Sequence, residues 1–339
     1  MKRKICSLVV GLFLILLSTA GFAQQKLAQS GFQFLSVVSD ARGAAMAGAM
    51  TSLQSGSSSL FFNPAGMTEL NGVADVTGST NKWIADITHN TFSLEINPAK
   101  GRYGVFGISV QYVNYGDFYK TIVDAASPQG YDDLGTFNLT AMAVGIGYAK
   151  QLTEQFSVGG QIKWVHQDLG TSTIPLLGGT GSDTSQIVSN KLSPLAFDFG
   201  TQFKTGIKSL VFGMAVRNFS EQVKYIDEGF QAPLEFSLGI SMNLLDLASE
   251  LPFNQTLLMS VDASHYTDDP EEVKVGLDYR LLDMLSLRIG YSSTNVANDE
   301  GSGFSYGVGF TKFGLAIDYS YSPFGDWGNV QRFTVRFKI

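Results

Sequence analysis

Residues 273–291 read VKVGLDYRLLDMLSLRIGY, and the spacing of their apolar side chains decides the fold class. Val273, Val275, Leu277, Tyr279 and Leu281 occupy every second position, with Lys274, Gly276, Asp278 and Arg280 between them. After 282–284 the alternation resumes, Leu285, Leu287, Ile289 and Tyr291 against Ser286, Arg288 and Gly290. Successive side chains of a strand point to opposite faces, so a period of two gathers the apolar groups on one face. The break of three residues predicts a tight hairpin.

The same pattern continues outward from this stretch. Phe304, Tyr306, Val308 and Phe310 alternate with Ser305, Gly307 and Gly309, and Leu315, Ile317, Tyr319 and Tyr321 with Ala316, Asp318 and Ser320. The chain ends on Phe333, Val335, Phe337 and Ile339 against Arg332, Thr334, Arg336 and Lys338. Upstream, Leu234, Phe236, Leu238, Ile240 and Met242 oppose Glu235, Ser237, Gly239 and Ser241, and Leu195, Phe197 and Phe199 oppose Asp198 and Gly200. Strands are predicted over 72–80, 89–96, 102–115, 136–151, 155–168, 191–204, 208–219, 233–245, 255–265, 272–281, 285–293, 303–311, 314–322 and 329–338. That even set of about 14 suits an all-β, transmembrane antiparallel barrel. Short gaps at 152–154, 205–207, 282–284 and 312–313 alternate with long ones at 116–135, 169–190, 220–232 and 294–302, as in a membrane-spanning barrel. The gap at 246–254 breaks the rule, and its LDLASEL suggests a helical turn. A soluble all-β fold would also alternate, and is the competing reading.

Composition agrees with strands. The 339 residues include 37 Gly, 25 Phe and 13 Tyr but only 9 Pro, and charged residues make up 16%, against roughly 25% in soluble proteins. With 23 Lys+Arg against 30 Asp+Glu, the net charge is −7, which argues against a nucleic-acid partner. Lys2, Arg3 and Lys4 precede an apolar run from Leu8 to Leu17, followed by Gly21 and Ala23. This is the order of a secretory signal, with cleavage expected after Ala23. Residues 1–23 are thus expected to be a signal peptide, 24–71 an N-terminal plug segment and 72–339 the barrel. Cleavage would remove Cys6, the lone cysteine, and with it any disulfide, Cys-based metal site or thiol nucleophile.

A barrel with its greasy face to lipid carries its polar face inward. Asp198, Glu235, Asp262, Asp278 and Asp318 are then expected to meet Lys163, Lys274, Arg280, Arg288, Arg332 and Arg336 across the lumen. Two readings stand, a salt-bridged interior or a path selective for a permeant. Residues 40–50, DARGAAMAGAM, are rich in small side chains and suit a short helix, though their glycines weaken it. Leu60-Phe61-Phe62-Asn63-Pro64-Ala65-Gly66-Met67 carries turn chemistry at Asn63-Pro64 and Gly66. A compact segment of this kind fits inside a barrel.

SDARGAAMAGAM followed by SSSLFFNPAGM resembles the opening of the FadL-like barrel superfamily and, within it, the PorV/PorQ family of Bacteroidetes-type bacteria. NKWIADITHN at 81–90, YVNYG at 112–116, VGLDYRLLDMLSLRIGY at 275–291 and IDYSYSPFG at 317–325 extend the likeness to the C-terminus. The resemblance implies a 14-stranded outer-membrane barrel with Asp40, Arg42, Asn63, Pro64 and Gly66 in a lumenal plug. It also implies a part in type IX secretion, with secretion-system proteins or cargo signals contacting the external loops 169–190 and 220–232. The alternative it implies is uptake of a hydrophobic ligand, with residues 41–67 shifting to open a passage.

Chemistry beyond binding finds little support. No HExxH motif is present, and no catalytic residue, cofactor or metal is expected. His89, His166 and His265 fall near strand ends, where an amphipathic ring suits an interface. Asp132-Asp133 and Asp268-Asp269-Pro270-Glu271-Glu272 match no EF-hand loop, and Gly178-Gly179-Thr180-Gly181-Ser182 lacks GK[ST]. Trp83, Trp164 and Trp327 are expected in an interfacial girdle, with an aromatic ligand pocket as the competing reading.

Overall fold

A computed structural model describes residues 30–69, 72–123, 127–175, 185–226, 228–248, 253–267, 270–293 and 302–339. The expected signal peptide, its cleavage point, Cys6, the 178–182 glycine run and Asp268-Asp269 lie outside these residues. Fourteen strands form one closed antiparallel barrel. They are β1 Ala74–Lys82, β2 Thr88–Ile96, β3 Val105–Val123, β4 Tyr131–Gln151, β5 Phe156–Pro175, β6 in two runs, Ser185–Leu192 and Leu195–Lys204, and β7 Val211–Ser220. Then follow β8 Glu235–Asn243, β9 Gln255–Tyr266, β10 Glu272–Leu281, β11 Leu285–Ser292, β12 Phe304–Lys312, β13 Leu315–Pro323 and β14 Asn329–Lys338. Each strand pairs with its sequence neighbours, and β1 closes the cylinder on β14, with Val76 opposite Phe337 and Thr80 opposite Phe333. Closure leaves no edge with unpaired backbone in the barrel wall, the condition for crossing hydrocarbon in strands.

The side chains are arranged inside out relative to a soluble barrel. Leu287, Ile289, Tyr306, Val308, Ile317, Tyr319, Phe333 and Val335 point outward and are exposed, while Ser286, Arg288, Ser305, Asp318, Ser320 and Arg332 are buried in the lumen. A continuous belt of Leu, Ile, Val, Phe and Tyr far exceeds the apolar patch that water tolerates on a monomer, a few hundred Å². Contact with lipid removes that penalty, and this excludes the soluble all-β reading.

Two expectations need correction. The gaps 116–135 and 169–190 are largely strand: β3 reaches Val123, β4 starts at Tyr131, β5 runs to Pro175 and β6 starts at Ser185. At 19, 21 and 20 residues, β3, β4 and β5 are about twice the roughly 9–11 residues that cross a bilayer. Their outer halves form hairpins standing above the lipid. Register shifts between Asn114 and Asp117 and between Tyr119 and Thr121 carry the β3–β4 pairing into this region. The gap at 220–232 holds a small ribbon, Val223–Lys224 with Gly229–Phe230. Leu244–Leu247 forms a 3-10 turn, part of the helical turn expected at 246–254, whose residues 249–252 are not described.

Residues 30–69 thread the lumen. Gly31 N–H donates to Gln231 O (3.0 Å) beside the ribbon, at the rim of long connections, and Val73 N–H donates to Ile339 O (2.7 Å) at the rim of short turns. Between these ends lie one short helix, α1 Ala41–Ala45, and 3-10 turns at Gly56–Phe61 and Pro64–Glu69. Irregular backbone survives at this depth only if the wall satisfies it. Gln111 Nε2 donates to Phe34 O (2.7 Å), Thr91 Oγ1 to Ser39 O (2.9 Å), and Thr334 Oγ1 accepts from Ala41 N–H (2.8 Å). Asp262 accepts from Thr51 N–H (2.8 Å), and Asp75 from Ser57 N–H (3.1 Å). The inward polar residues thus bind the plug, which accounts for their placement on strand after strand.

Candidate functional site

Each plug residue singled out in the sequence has a structural task. Asp40 caps α1, its Oδ1 accepting from Gly43 N–H at 2.6 Å. Arg42 Nε reaches Asp278 Oδ2 (3.3 Å) and Nη1 donates to Gln54 O (2.9 Å), tying α1 both to the wall and to the next turn. Asn63 is fully buried; its amide nitrogen donates to Thr51 O (2.7 Å) and to wall carbonyls of Thr201 (3.0 Å) and Met214 (3.3 Å). Pro64 opens the final 3-10 turn, whose start is held by Ala65 N–H to Asn63 Oδ1 (3.1 Å) and Gly66 N–H to Asn63 O (2.9 Å).

Apart from Arg332, the lumen charges singled out in the sequence hold charged or polar partners. Arg288 bridges Asp278 (3.2 Å) and Asp318 (2.5 Å), so Arg42, Asp278, Arg288 and Asp318 form one chain from plug to wall. Asp198 takes Lys163 (2.8 Å), and Glu235 takes Arg217 (3.1 Å) and Lys274 (3.5 Å). Arg336 lies 3.8 Å from Asp75 and reaches Ser55 O at 3.5 Å, while Arg280 Nε donates to Ser286 Oγ (3.4 Å). This geometry favours the salt-bridged interior over a charged conduction path.

Two cavities flank the plug. The one at the long-connection rim has a volume of about 400 Å³ and is walled by Phe34, Val37, Val38, Ala44, Ala47, Trp83, Ile87, Tyr115 and Phe324, with Ser36, Ser292, Ser305, Ser322, His89 and Arg332 as polar points. The other, about 340 Å³, lies at the short-turn rim beside Arg42, Leu53, Gln54, Glu69, Lys204 and Leu258. Between them sits a buried plug layer of Met46, Met50, Leu53 and Phe62, against which Val38 and Leu258 pack. Small apolar ligands use pockets of roughly 300–1,000 Å³ with a few polar anchors, and the first cavity has that character.

Its aromatic lining corrects two expectations. Trp83 is not a girdle residue. It lies on the β1–β2 connection and packs edge-on against Phe324 (ring centroids 5.0 Å) and His89 (6.0 Å) beside the cavity. His89 is buried facing the lumen rather than at an interface, because it shares the inward phase of Thr91, Ser93 and Glu95. Trp164 and Trp327 remain exposed, Trp164 stacked on His166 at 5.5 Å, as an interfacial girdle requires. Sequence periodicity could not place Trp83, since a connection has no alternating face. Among the described residues no cluster of metal-ligating side chains occurs.

No protein-family model matches the chain, nor does any curated protein. Solved structures do share its fold. The toluene transporter TbuX of Ralstonia pickettii aligns over 92% of this chain and 99% of its own, with a TM-score of 0.56 at 12% identity. The monoaromatic hydrocarbon channel CymD aligns over 89% and 97%, with a TM-score of 0.57 at 12% identity. A FadL homologue of Pseudomonas aeruginosa aligns over 88% and 98%, with a TM-score of 0.50 at 12% identity. The chain therefore has the barrel fold of these FadL-like channels.

Proposed function

We propose that this protein is an outer-membrane channel admitting a hydrophobic small molecule, without catalysis. The carrying observation is the 400 Å³ largely apolar cavity at the long-connection rim, lined by plug residues between Phe34 and Ala47, with the buried Met46–Phe62 cluster packing both on Val38 of this cavity and on Leu258 of the second. A ligand arriving from outside would settle against Phe34, Val38, Trp83 and Phe324. Displacement of the Met46–Phe62 layer would join the two cavities and release the ligand toward the short-turn rim. Solved barrels of this fold include toluene and monoaromatic hydrocarbon channels, which supports the reading. The outward apolar belt supports insertion in the outer membrane, where closed barrels of this kind reside.

The experiment is uptake of a radiolabelled alkylbenzene into cells expressing or lacking the protein. Expression should raise the initial rate several-fold at low substrate concentration. Equal rates in both strains would remove the proposal.

A second reading rests on the tall β3–β6 hairpins, which expose Tyr119, Ile122 and Leu134 above the lipid belt. They suit contact with another protein, as the PorV/PorQ resemblance implies for secretion cargo. The two readings separate in a deletion strain: loss of uptake with a normal secreted proteome supports the channel, and the converse supports secretion.

A further inference from the structure

Four lumen cations are more than nine-tenths buried: Lys163, Lys274, Arg288 and Arg332. The first three each hold a carboxylate, Lys163 on Asp198 at 2.8 Å, Lys274 on Glu272 at 3.0 Å and Arg288 on Asp278 at 3.2 Å. Arg332 is 4% exposed and differs from them. Among the described residues no carboxylate oxygen lies within 4.0 Å of its guanidinium, and its Nε has no hydrogen-bond partner. Asp40 attracts it only from longer range, that carboxylate being committed to the cap of α1. What Arg332 does contact is the face of Trp83, 5.4 Å from guanidinium to ring centroid. Both side chains line the 400 Å³ cavity, as does His89, whose Nδ1 is also without a partner.

A buried guanidinium with vacant donors is costly unless an anion completes it. Stacking on an indole holds the planar group in place and leaves its edge free to donate. The remaining wall is apolar, with serine hydroxyls that can donate or accept. We infer that Arg332 is a specificity-determining residue, and that the cavity takes a compact amphipathic acid, one carboxylate on an aromatic or short hydrocarbon body. Arg332 receives the carboxylate while Phe34, Val38 and Phe324 enclose the body. One guanidinium matches one negative charge; a dianion would leave surplus charge buried within reach of Asp40. This inference rests on the channel reading above and specifies its substrate.

The test is calorimetric titration of the purified barrel, in a neutral detergent at pH 7.5, with 3-phenylpropanoate, its alcohol 3-phenylpropan-1-ol, and ethylbenzene. The wild-type protein should bind the acid roughly tenfold or more tighter than the alcohol, as one charge-assisted contact provides. In Arg332→Gln the acid should fall to the affinity of the alcohol, which itself stays within about threefold of wild type. Equal wild-type affinities for acid and alcohol would overturn the inference, as would a preference that survives in Arg332→Gln. The wild-type comparison decides the matter even if the variant fails to insert. Binding of ethylbenzene and alcohol with no preference for the acid removes this inference alone. Failure of all three to bind removes the channel reading with it.

Discussion

Gly290→Val dislodges the plug while leaving the barrel closed. Gly290 lies on the inward face of β11, where a Cβ would be driven into the main chain of Met46 and Ala47. A flexible side chain could swing aside, but backbone held by α1 and its cap cannot. Overpacking typically costs about 1–3 kcal/mol, and here it acts on a segment held by separable hydrogen bonds rather than on the strand ladder. The expected result is a heat-stable, correctly inserted barrel whose residues 40–50 become protease-sensitive and whose single-channel conductance in planar bilayers rises several-fold. Gly78→Val is the control, because its Cβ would meet nothing within 4 Å. Unchanged conductance and protease resistance in Gly290→Val would show that the plug does not depend on that contact.

Asp278→Ala has the second large effect. Asp278 joins Arg42 of the plug to Arg288 of the wall, and its side chain is 3% exposed. Removing it strips Arg42 of its carboxylate and leaves Arg288 with Asp318 alone. Breaking a buried pair by deleting one partner costs about 3–5 kcal/mol, mostly from the uncompensated charge. Double replacement of Asp278 and Arg42 by Ala and Met should recover a substantial part of that loss. The readout is the temperature at which the folded band disappears in heat-modifiability electrophoresis. A single variant that melts with wild type, or a double variant that melts lower than the single, would contradict this account of the network.

The parts of this architecture legible in the sequence are those where lipid imposes a rule at every second residue. Within Val273–Leu281 and again within Leu285–Tyr291 each outward position meets hydrocarbon, so the two-residue period is unbroken in each strand and both strand bounds and facing could be read. The same phase predicted Asp198, Asp278, Arg288, Asp318 and Arg336 as lumenal, and all of them face inward. Residues 116–123 and 131–135 escaped, because above the lipid neither face of a hairpin must be apolar and the bulges near Gly116 and Lys120 shift the phase. Partners across the lumen were equally hidden. That Arg288 finds Asp278 and Asp318 while Arg332 finds no acid within 4.0 Å depends on how strands far apart in sequence are brought together. Trp83 gave no signal, since it owes its place to the 83–87 connection rather than to a strand face. Asn63-Pro64 announced a turn, but not the wall carbonyls of Thr201 and Met214 that fix it.

The central claim is sidedness: the regular apolar stripe meets lipid and the polar stripe encloses the plug. Site-directed spin labels at single introduced cysteines on Leu287, Val308 and Ile317, and on Ser286, Ser305 and Ser320, test it in reconstituted bilayers. Labels at the first three should be relaxed strongly by oxygen and weakly by a water-soluble nickel chelate, whereas those at the three serines should be immobilised and shielded from oxygen in the membrane. Oxygen accessibility that is the same in both sets, or greater at the serines, would contradict the account.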